Sequence, residues 1–264
     1  MTRPKVIDAF PFNNELDILE CRLVELYDAV DAFVLVEADV DHQDHPKPFH
    51  YAENAERFEP WADKIVAVQA KGLPTLADNP DPWAREHAQR EFIGTGLGLI
   101  GATADDVVLQ SDVDEIPTAL AARNVRPSGM LAFGQRLFCF AVDWEHPQGW
   151  RGTVAARAGF LHGLGDRRFG RMRDARNTVP CPPYLQDAGW HQSWLGGKEA
   201  ALAKLGSFCH PEIRERTLQG LTEDFYLREG WHVDGTRMRP VDVDETWPRW
   251  IVEGHAPSVW FRPR

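Results

Sequence analysis

The chain has 264 residues, 43% of them apolar and 26% charged, an ordinary composition for a globular protein with a sizeable core. Its formal charge of -11 argues against a general nucleic-acid or membrane-surface binder, because those partners are themselves anionic. An acidic protein that handles phosphate must instead recruit a metal ion or gather its arginines locally.

Val6 to Phe10 reads as a short strand, followed by Pro11 and the polar pair Asn13 and Asn14. Leu16, Leu19, Leu23, Leu26 and Val30 then recur at helical spacing, with Asn14 as the expected N-cap. Ala32 to Val36 is a second strand ending at Glu37, so the chain opens with a βαβ unit, which implies parallel pairing. The loop from Asp39 to Asn54 is rich in His, Asp and Pro, and its spacing matches no metal-ligand pattern; it reads as a mobile cover over a cleft. Lys64 to Val68 is a third strand. Pro82 opens an amphipathic helix, Trp83 to Leu99, closed by Gly96, Gly98 and Gly101. With the strand that follows, the first 117 residues alternate β and α, which predicts a doubly wound sheet.

Residues Asp105 to Pro117, D-D-V-V-L-Q-S-D-V-D-E-I-P, join an apolar run to the carboxylates Asp112, Asp114 and Glu115. Val107 to Leu109 suit a buried strand, and its carboxyl end is where open α/β sheets bind ligands. Clustered carboxylates repel unless a cation holds them, and hard divalent ions commonly bridge such oxygens to substrate phosphates. The segment therefore reads as a metal-diphosphate site. D-V-D also occurs at Asp39 to Asp41 and at Asp242 to Asp244, but neither copy follows a clear apolar strand, and both read as surface acid.

Beyond Pro117 the patterning weakens. Met130 to Val142 is consistent with two strands and Trp144 to Arg176 reads as loop. Seven arginines between Arg151 and Arg176 form a positive patch suited to a phosphorylated or carboxylated ligand, or else a solvated loop. Lys198 to Phe208 and Leu218 to Glu229 read as helices. The ten tryptophans suit either sugar-stacking surfaces or core and rim packing. Four widely spaced cysteines fit neither a zinc pattern nor a disulfide framework, and no stretch has the apolar length of a membrane span. With no apolar signal region near Met1, the expectation is a cytoplasmic protein of one domain with an irregular C-terminal half.

Several stretches, in order along the chain, resemble glycosyltransferase family 17: Asp8 to Asp28 (D-A-F-P-F-N-N-E-L-D-I-L-E-C-R-L-V-E-L-Y-D), Val34 to Glu37, Trp83 to Arg90 (W-A-R-E-H-A-Q-R), Ser111 to Pro117 (S-D-V-D-E-I-P) and Gly189 to Trp194 (G-W-H-Q-S-W). The resemblance implies a GT-A-like fold with a Rossmann-type central sheet flanked by helices. It divides the domain into a nucleotide-sugar-binding half, residues 1–117, and an acceptor-side half, residues 118–264. It further implies Mn²⁺ or Mg²⁺, a UDP-sugar donor, inversion at the anomeric carbon and a glycan or glycoconjugate acceptor.

On that reading Asp114 coordinates the metal, Asp112 contacts the ion or the donor's ribose, and Glu115 holds the loop. His191 is the proposed imidazole ligand from the C-terminal half. Asn13, Asn14 and Glu15 lie where the nucleotide would sit, with helix capping by Asn14 as the alternative. Glu37 is assigned to the uracil or ribose, and Trp83 either stacks on the base or packs in the core. Arg85 and Arg90, five apart on one helix, do not share a face, so one reaches the diphosphate. Arg90 is preferred, with Arg85 pairing a nearby carboxylate. Inversion by single displacement needs a base, and Asp187 and Glu212 are the two candidates. Trp190 and Trp194 are placed as sugar-stacking residues. The expected reaction is transfer of a sugar, N-acetylglucosamine from UDP, to a glycan hydroxyl. A metal-dependent nucleotidyltransferase or phosphohydrolase, and a non-catalytic carbohydrate-binding protein, are the competing readings.

Overall fold

A computed structural model describes residues 3–207 and 214–263. The chain opens with β1 (Val6–Phe12), α1 (Leu16–Leu26) and β2 (Ala32–Ala38); a short α2 (His50–Glu53) and a 3₁₀ segment (Ala55–Lys64) then lead to β3 (Ile65–Ala70). Two helices, α3 (Pro82–Glu91) and α4 (Ile93–Ile100), precede β4 (Val107–Gln110). Strands β3, β2, β1 and β4 lie side by side in that order, all parallel. The expected alternation of β and α is therefore present.

Both faces of β1, β2 and β4 are buried, as helices on either side require, while the edge strand β3 alternates buried and exposed residues. Along β1, Val6, Phe10 and Phe12 pack with Leu19, Leu23 and Leu26 of α1, while Ile7 and Ala9 point to the opposite core with Ile93 and Leu97 of α4. Helix α4 comes close to the sheet because residue 96 is glycine: a Cβ there would overlap the side chain of Val34. The break between α3 and α4 falls at Phe92, so the single helix expected from Trp83 to Leu99 is two. Asp81 accepts a hydrogen bond from the Trp83 N–H and Pro82 occupies the first turn, which fixes the start of α3 as the sequence indicates.

The second half extends the same sheet with mixed strands. In chain order come β5 (Glu115–Pro117), α5 (Ala119–Asn124), β6 (Leu131–Cys139), β7 (Trp144–Arg157), α6 (Ala158–His162), α7 (Arg168–Ala175), β8 (Tyr184–Leu185) and β9 (Gly189–Ser193). Helices α8 (Gly197–Ser207) and α9 (Arg214–Thr222), strand β10 (Arg239–Pro240) and α10 (Arg249–Val252) follow. From β4 the order continues β7, β6, β9, β5, with β10 on β7 and β8 on β6. Two expectations are corrected here. Met130 to Val142 holds one strand rather than two, and the segment read as loop begins with the 14-residue β7. Its register against β6 slips on both sides of Gly134 and Gln135, and Gly149 takes φ +63, so Pro, Gly and Arg interrupt the alternation by which a strand is recognised. Among the described residues no helix is long and apolar enough to cross a membrane.

Candidate functional site

The parallel strands β1 and β4 end beside one another, and a cavity of about 720 Å³ opens at their carboxyl ends. Its walls include Asn13, Asn14 and Glu15 after β1, Asp112 and Asp114 after β4, and His191 on β9. Trp83 and Arg90 of α3, Arg173 of α7 and Lys204 of α8 belong to its charged and aromatic lining.

The acidic turn is held from below by Arg22 of α1. Its guanidinium is fully buried and pairs with both oxygens of Asp8 at 2.7 Å. The same group donates to the carbonyls of Asp112, Val113 and Glu115 at 3.0 to 3.1 Å and to the Ser111 hydroxyl at 2.7 Å. Glu115, also fully buried, accepts from the Asp112 N–H, from Trp150 Nε1 and, through both oxygens, from Arg176. Its carboxylate is thus committed within the protein.

Asp112 and Asp114 face different cations. Arg90 Nη2 lies 2.5 Å from Asp112 Oδ1, and Arg176 Nη2 lies 3.6 Å from Oδ2. Burial raises the Asp112 pKa, but Arg90, Arg173 and Arg176 overcome that and hold the carboxyl well below the usual range. Arg90 also pairs with Glu86 one turn earlier, and these carboxylates keep its guanidinium protonated despite burial. Asp114 lies 3.4 Å from His191 Nε2 and 3.3 Å from Lys204 Nζ. Burial again opposes ionisation, and Lys204 with His191 brings the pKa down to about 2. The juxtaposition of Asp114 and His191 is built by strand pairing, since Glu115 on β5 lies opposite His191 on β9. The His191 ring packs against Trp150 at 4.8 Å between centroids, and its Nδ1 is buried without a hydrogen-bond partner.

These distances test the fit of a divalent ion. Asp114 and His191 present an oxygen and a nitrogen at the separation that two ligands of one ion adopt, with the cavity beside them for phosphate and water oxygens. Asp112 is instead paired with Arg90 and Arg176, and among the described residues none of Asp112, Asp114 and His191 belongs to a group of three metal-ligating side chains within 4.8 Å.

The other expected residues divide. Trp83 lines the cavity, with the Arg173 guanidinium 5.0 Å from its ring centroid. Asn14 makes no cap; the Glu15 carboxylate instead accepts from the N–H groups of Asn13 and Asn14 and shapes the turn between β1 and α1. Glu37 is buried and carries Lys47 Nζ at 2.8 Å together with the His50 and Tyr51 N–H groups, so Lys47 stands at the wall in its place. Arg85 is buried away from the cavity and donates to the carbonyls of His42, Pro74 and Asn79, rather than to a carboxylate as expected. Asp187 is exposed, takes φ +52 and is no part of the cavity wall, and Glu212 falls outside the described residues. Trp194 lines the cavity, whereas Trp190 is in the core with its Nε1 on the Thr246 carbonyl.

Several wall residues were not singled out from the sequence. Lys204 sits in an unremarkable Ala-rich helix, and nothing in its neighbourhood signals a partner 90 residues away. Asp41, His42 and Lys47 come from the His-rich loop. Of the seven clustered arginines, Arg173 alone lines the cavity, while Arg176 reaches the acidic turn from within the protein and Arg157 pairs with Asp105 elsewhere.

The sequence model of glycosyltransferase family 17 matches residues 1–218, which contain the whole of the acidic turn, α3 and the G-W-H-Q-S strand. The chain belongs to that family. It is 28% identical to a beta-1,4-mannosyl-glycoprotein 4-beta-N-acetylglucosaminyltransferase of Rattus norvegicus over 91% of this chain and 51% of the relative. The counterpart of that name from Homo sapiens is also 28% identical, over 77% of this chain and 43% of the relative. The chain thus spans about half the length of the curated relatives it matches. Among solved structures, a 4-diphosphocytidyl-2C-methyl-D-erythritol synthase aligns with a TM-score of 0.38 at 18% identity, covering 70% of this chain and 89% of that one.

Proposed function

We propose that the chain is an inverting glycosyltransferase that moves a sugar, N-acetylglucosamine, from a UDP donor to a hydroxyl of a glycan. The observation that carries this reading is the acidic turn of a family 17 chain opening, at the carboxyl ends of parallel strands, into a cavity lined by Arg90, Arg173, Lys204 and Trp83. Cations arranged in this way suit a diphosphate, and an aromatic face beside them suits a base. The relatives' names supply the sugar and the glycan class.

Breaking the anomeric bond leaves the negative charge of a departing nucleoside diphosphate, and Arg173 and Lys204 stabilise it where it develops. A divalent ion held by Asp114 and His191 would supply Lewis-acid neutralisation of that same charge. Asp112 is kept ionised by Arg90 and Arg176 and presents an acceptor for a ribose hydroxyl. Lys47 and Asn13 bound the nucleotide end, joined by a 3.3 Å hydrogen bond from Lys47 Nζ to the Asn13 carbonyl. For the base that accepts the incoming hydroxyl's proton, the candidates stay Asp187, which is exposed and off the cavity wall, and Glu212, which lies outside the described residues.

Calorimetry with UDP and Mn²⁺, followed by a panel of UDP- and GDP-sugars, tests the reading. UDP binding that needs Mn²⁺ and falls in Asp114→Ala and Asp112→Ala supports the donor site; metal-independent binding unaffected by both substitutions refutes it. Release of inorganic phosphate or pyrophosphate without an acceptor would point to the hydrolase or nucleotidyltransferase reading, and sugar binding with no turnover on any donor to a binding module.

A further inference from the structure

A second cluster of ligating side chains joins His146, buried on β7, to His232 and Asp234 on the cavity wall. We infer that His146, His232 and Asp234 form a binding site for a divalent first-row transition ion of the Zn²⁺ kind, separate from the pair Asp114 and His191. The inference does not depend on the transferase reading.

The three side chains converge. His146 Nε2 lies 3.4 Å from Asp234 Oδ2, His232 Nδ1 lies 2.9 Å from Asp234 Oδ1, and one ligand atom from each falls within 4.8 Å of the others. Ligands about 2.0–2.2 Å from a tetrahedral ion are separated by about 3.3–3.6 Å, so the 3.4 Å pair of His146 and Asp234 already has that spacing and the rest of the set, within 4.8 Å, draws together on binding. Two imidazoles and one carboxylate favour Zn²⁺ and its transition-metal neighbours over Mg²⁺ or Ca²⁺, which prefer all-oxygen shells.

A second observation points the same way. His146 is 96% shielded, at 4% exposure, and its Nε2 is buried without a hydrogen-bond partner although it is aimed at Asp234. A nitrogen so placed lacks a group to receive its lone pair or its proton, and a cation between the two imidazoles and the carboxylate supplies one. The ring tautomers have a definite consequence. His232 Nδ1 lies 2.9 Å from Asp234 Oδ1 and, without metal, donates its proton to that carboxylate; a metal ion on Nδ1 replaces this proton and gives up the long 3.4 Å contact from the Asp234 N–H. Metal on His146 Nε2 moves that ring's proton to Nδ1 and gives up the long 3.3 Å contact from the Gln148 N–H, which is exposed and can turn to water.

The strand register separates this cluster from the acidic turn. His146 on β7 lies opposite Leu137 on β6, and Leu137 lies opposite His191 on β9. Two inter-strand spacings put the Cα atoms of His146 and His191 roughly 10 Å apart, and among the described residues the ligand atoms of His146 converge with those of His232 and Asp234, in a group that includes neither Asp114 nor His191. His232 and Asp234 belong to a turn closed by the bridge between Trp231 and Arg237, and both line the cavity. An ion here ties that turn to β7 and leaves its remaining positions facing the cavity, where water or a sugar hydroxyl fits.

The test uses the full chain in the Asp114→Ala background, stripped with a chelator and titrated with Zn²⁺ alone, no nucleotide being present. One equivalent is expected to bind. Adding Asp234→Ala or His232→Ala should weaken binding at least tenfold, and Co²⁺ in place of Zn²⁺ should give ligand-field absorption that the same substitutions remove. His146→Ala is read alongside, but His232 and Asp234 sit on a surface turn and keep the test informative should the buried variant fail to fold. The inference is overturned if no equivalent of Zn²⁺ binds, or if binding survives both turn substitutions.

Discussion

Replacing Arg22 with Met tests whether the acidic turn is built from beneath. The substitution keeps most of the side-chain volume and removes the charge, so Asp8, fully buried, loses its bidentate partner. Breaking a buried ion pair from one side costs about 3–5 kcal/mol, because the remaining charge is left uncompensated in the interior. The carbonyls of Asp112, Val113 and Glu115 lose their donor at the same time, at about 1–3 kcal/mol for each one left unsatisfied, although these costs overlap and do not sum. Against a total stability of about 5–15 kcal/mol, the loss is large enough to read in a urea titration. Asp8→Leu added to Arg22→Met should recover much of the stability, since an apolar pair replaces an ion pair with little penalty. It should not recover UDP affinity, because the three turn carbonyls remain without their donor. A drop below about 1 kcal/mol in the single variant, or a double variant that regains both stability and UDP binding, would refute the reasoning.

Lys204→Met should raise the Asp114 pKa and shift acid unfolding to higher pH. The carboxyl's folded value of about 2, below its ordinary 3.8, contributes stability that is complete above pH 3.8 and lost as pH falls toward 2. That depression corresponds to about 2 kcal/mol, and urea midpoints across this window will read whether the variant lacks part of it. Gly189→Ala places a methyl group where the Ile116 carbonyl and Gln135 Nε2 already lie, forcing β9 away from β5; a stability loss of about 1–3 kcal/mol with weaker UDP and Mn²⁺ binding is expected. Normal calorimetric titrations of that variant would contradict the assigned pairing of Asp114 with His191. Trp83→Ala should weaken UDP binding by about 1–3 kcal/mol through lost stacking and leave the thermal midpoint near wild type; unchanged affinity would remove Trp83 from the donor site.

The first half of the fold is legible because its signals are local. Val6 to Phe12 and Ala32 to Ala38 are apolar on both faces, α1 repeats at helical spacing, and α3 begins at an Asp-Pro pair, so the elements declare themselves without reference to distant partners. Strand β7 does not. Its central residues carry Pro147, Gly149 and Gly152, and what makes it a strand is a ladder to β6 on one side and β4 on the other. The same distinction separates the site residues. Asp112 and Asp114 are marked by the strand preceding them. Glu37 ends a strand in just the same way, but the chain returns at His50 and Tyr51 to consume its carboxylate with N–H groups. Sequence position at a strand end identifies a residue that can face a ligand; whether a later segment occupies it is decided by loop geometry.

Two of the stretches that carry the family likeness, S-D-V-D-E-I-P and G-W-H-Q-S, are about 70 residues apart and form one structural object. Gly189 lets β9 cross close to the Ile116 carbonyl, and Trp190 anchors the strand in the core through Thr246. His191 then emerges beside Asp114, whose own carbonyl accepts the Gln192 N–H at 2.8 Å. Small residue, anchor, imidazole and backbone donor follow in sequence because adjacent strand residues alternate faces: the anchor points into the core and the next side chain must point to the cavity. A one-residue slip of β9 would turn His191 into the core and Trp190 toward the cavity, so the pairing with β5 fixes which imidazole meets the acidic turn. Residues 118–264 therefore contribute directly to the cavity at the acidic turn, and a fragment ending at Pro117 would retain the aspartates while lacking His191, Lys204, Arg173 and the Arg176 that holds Glu115.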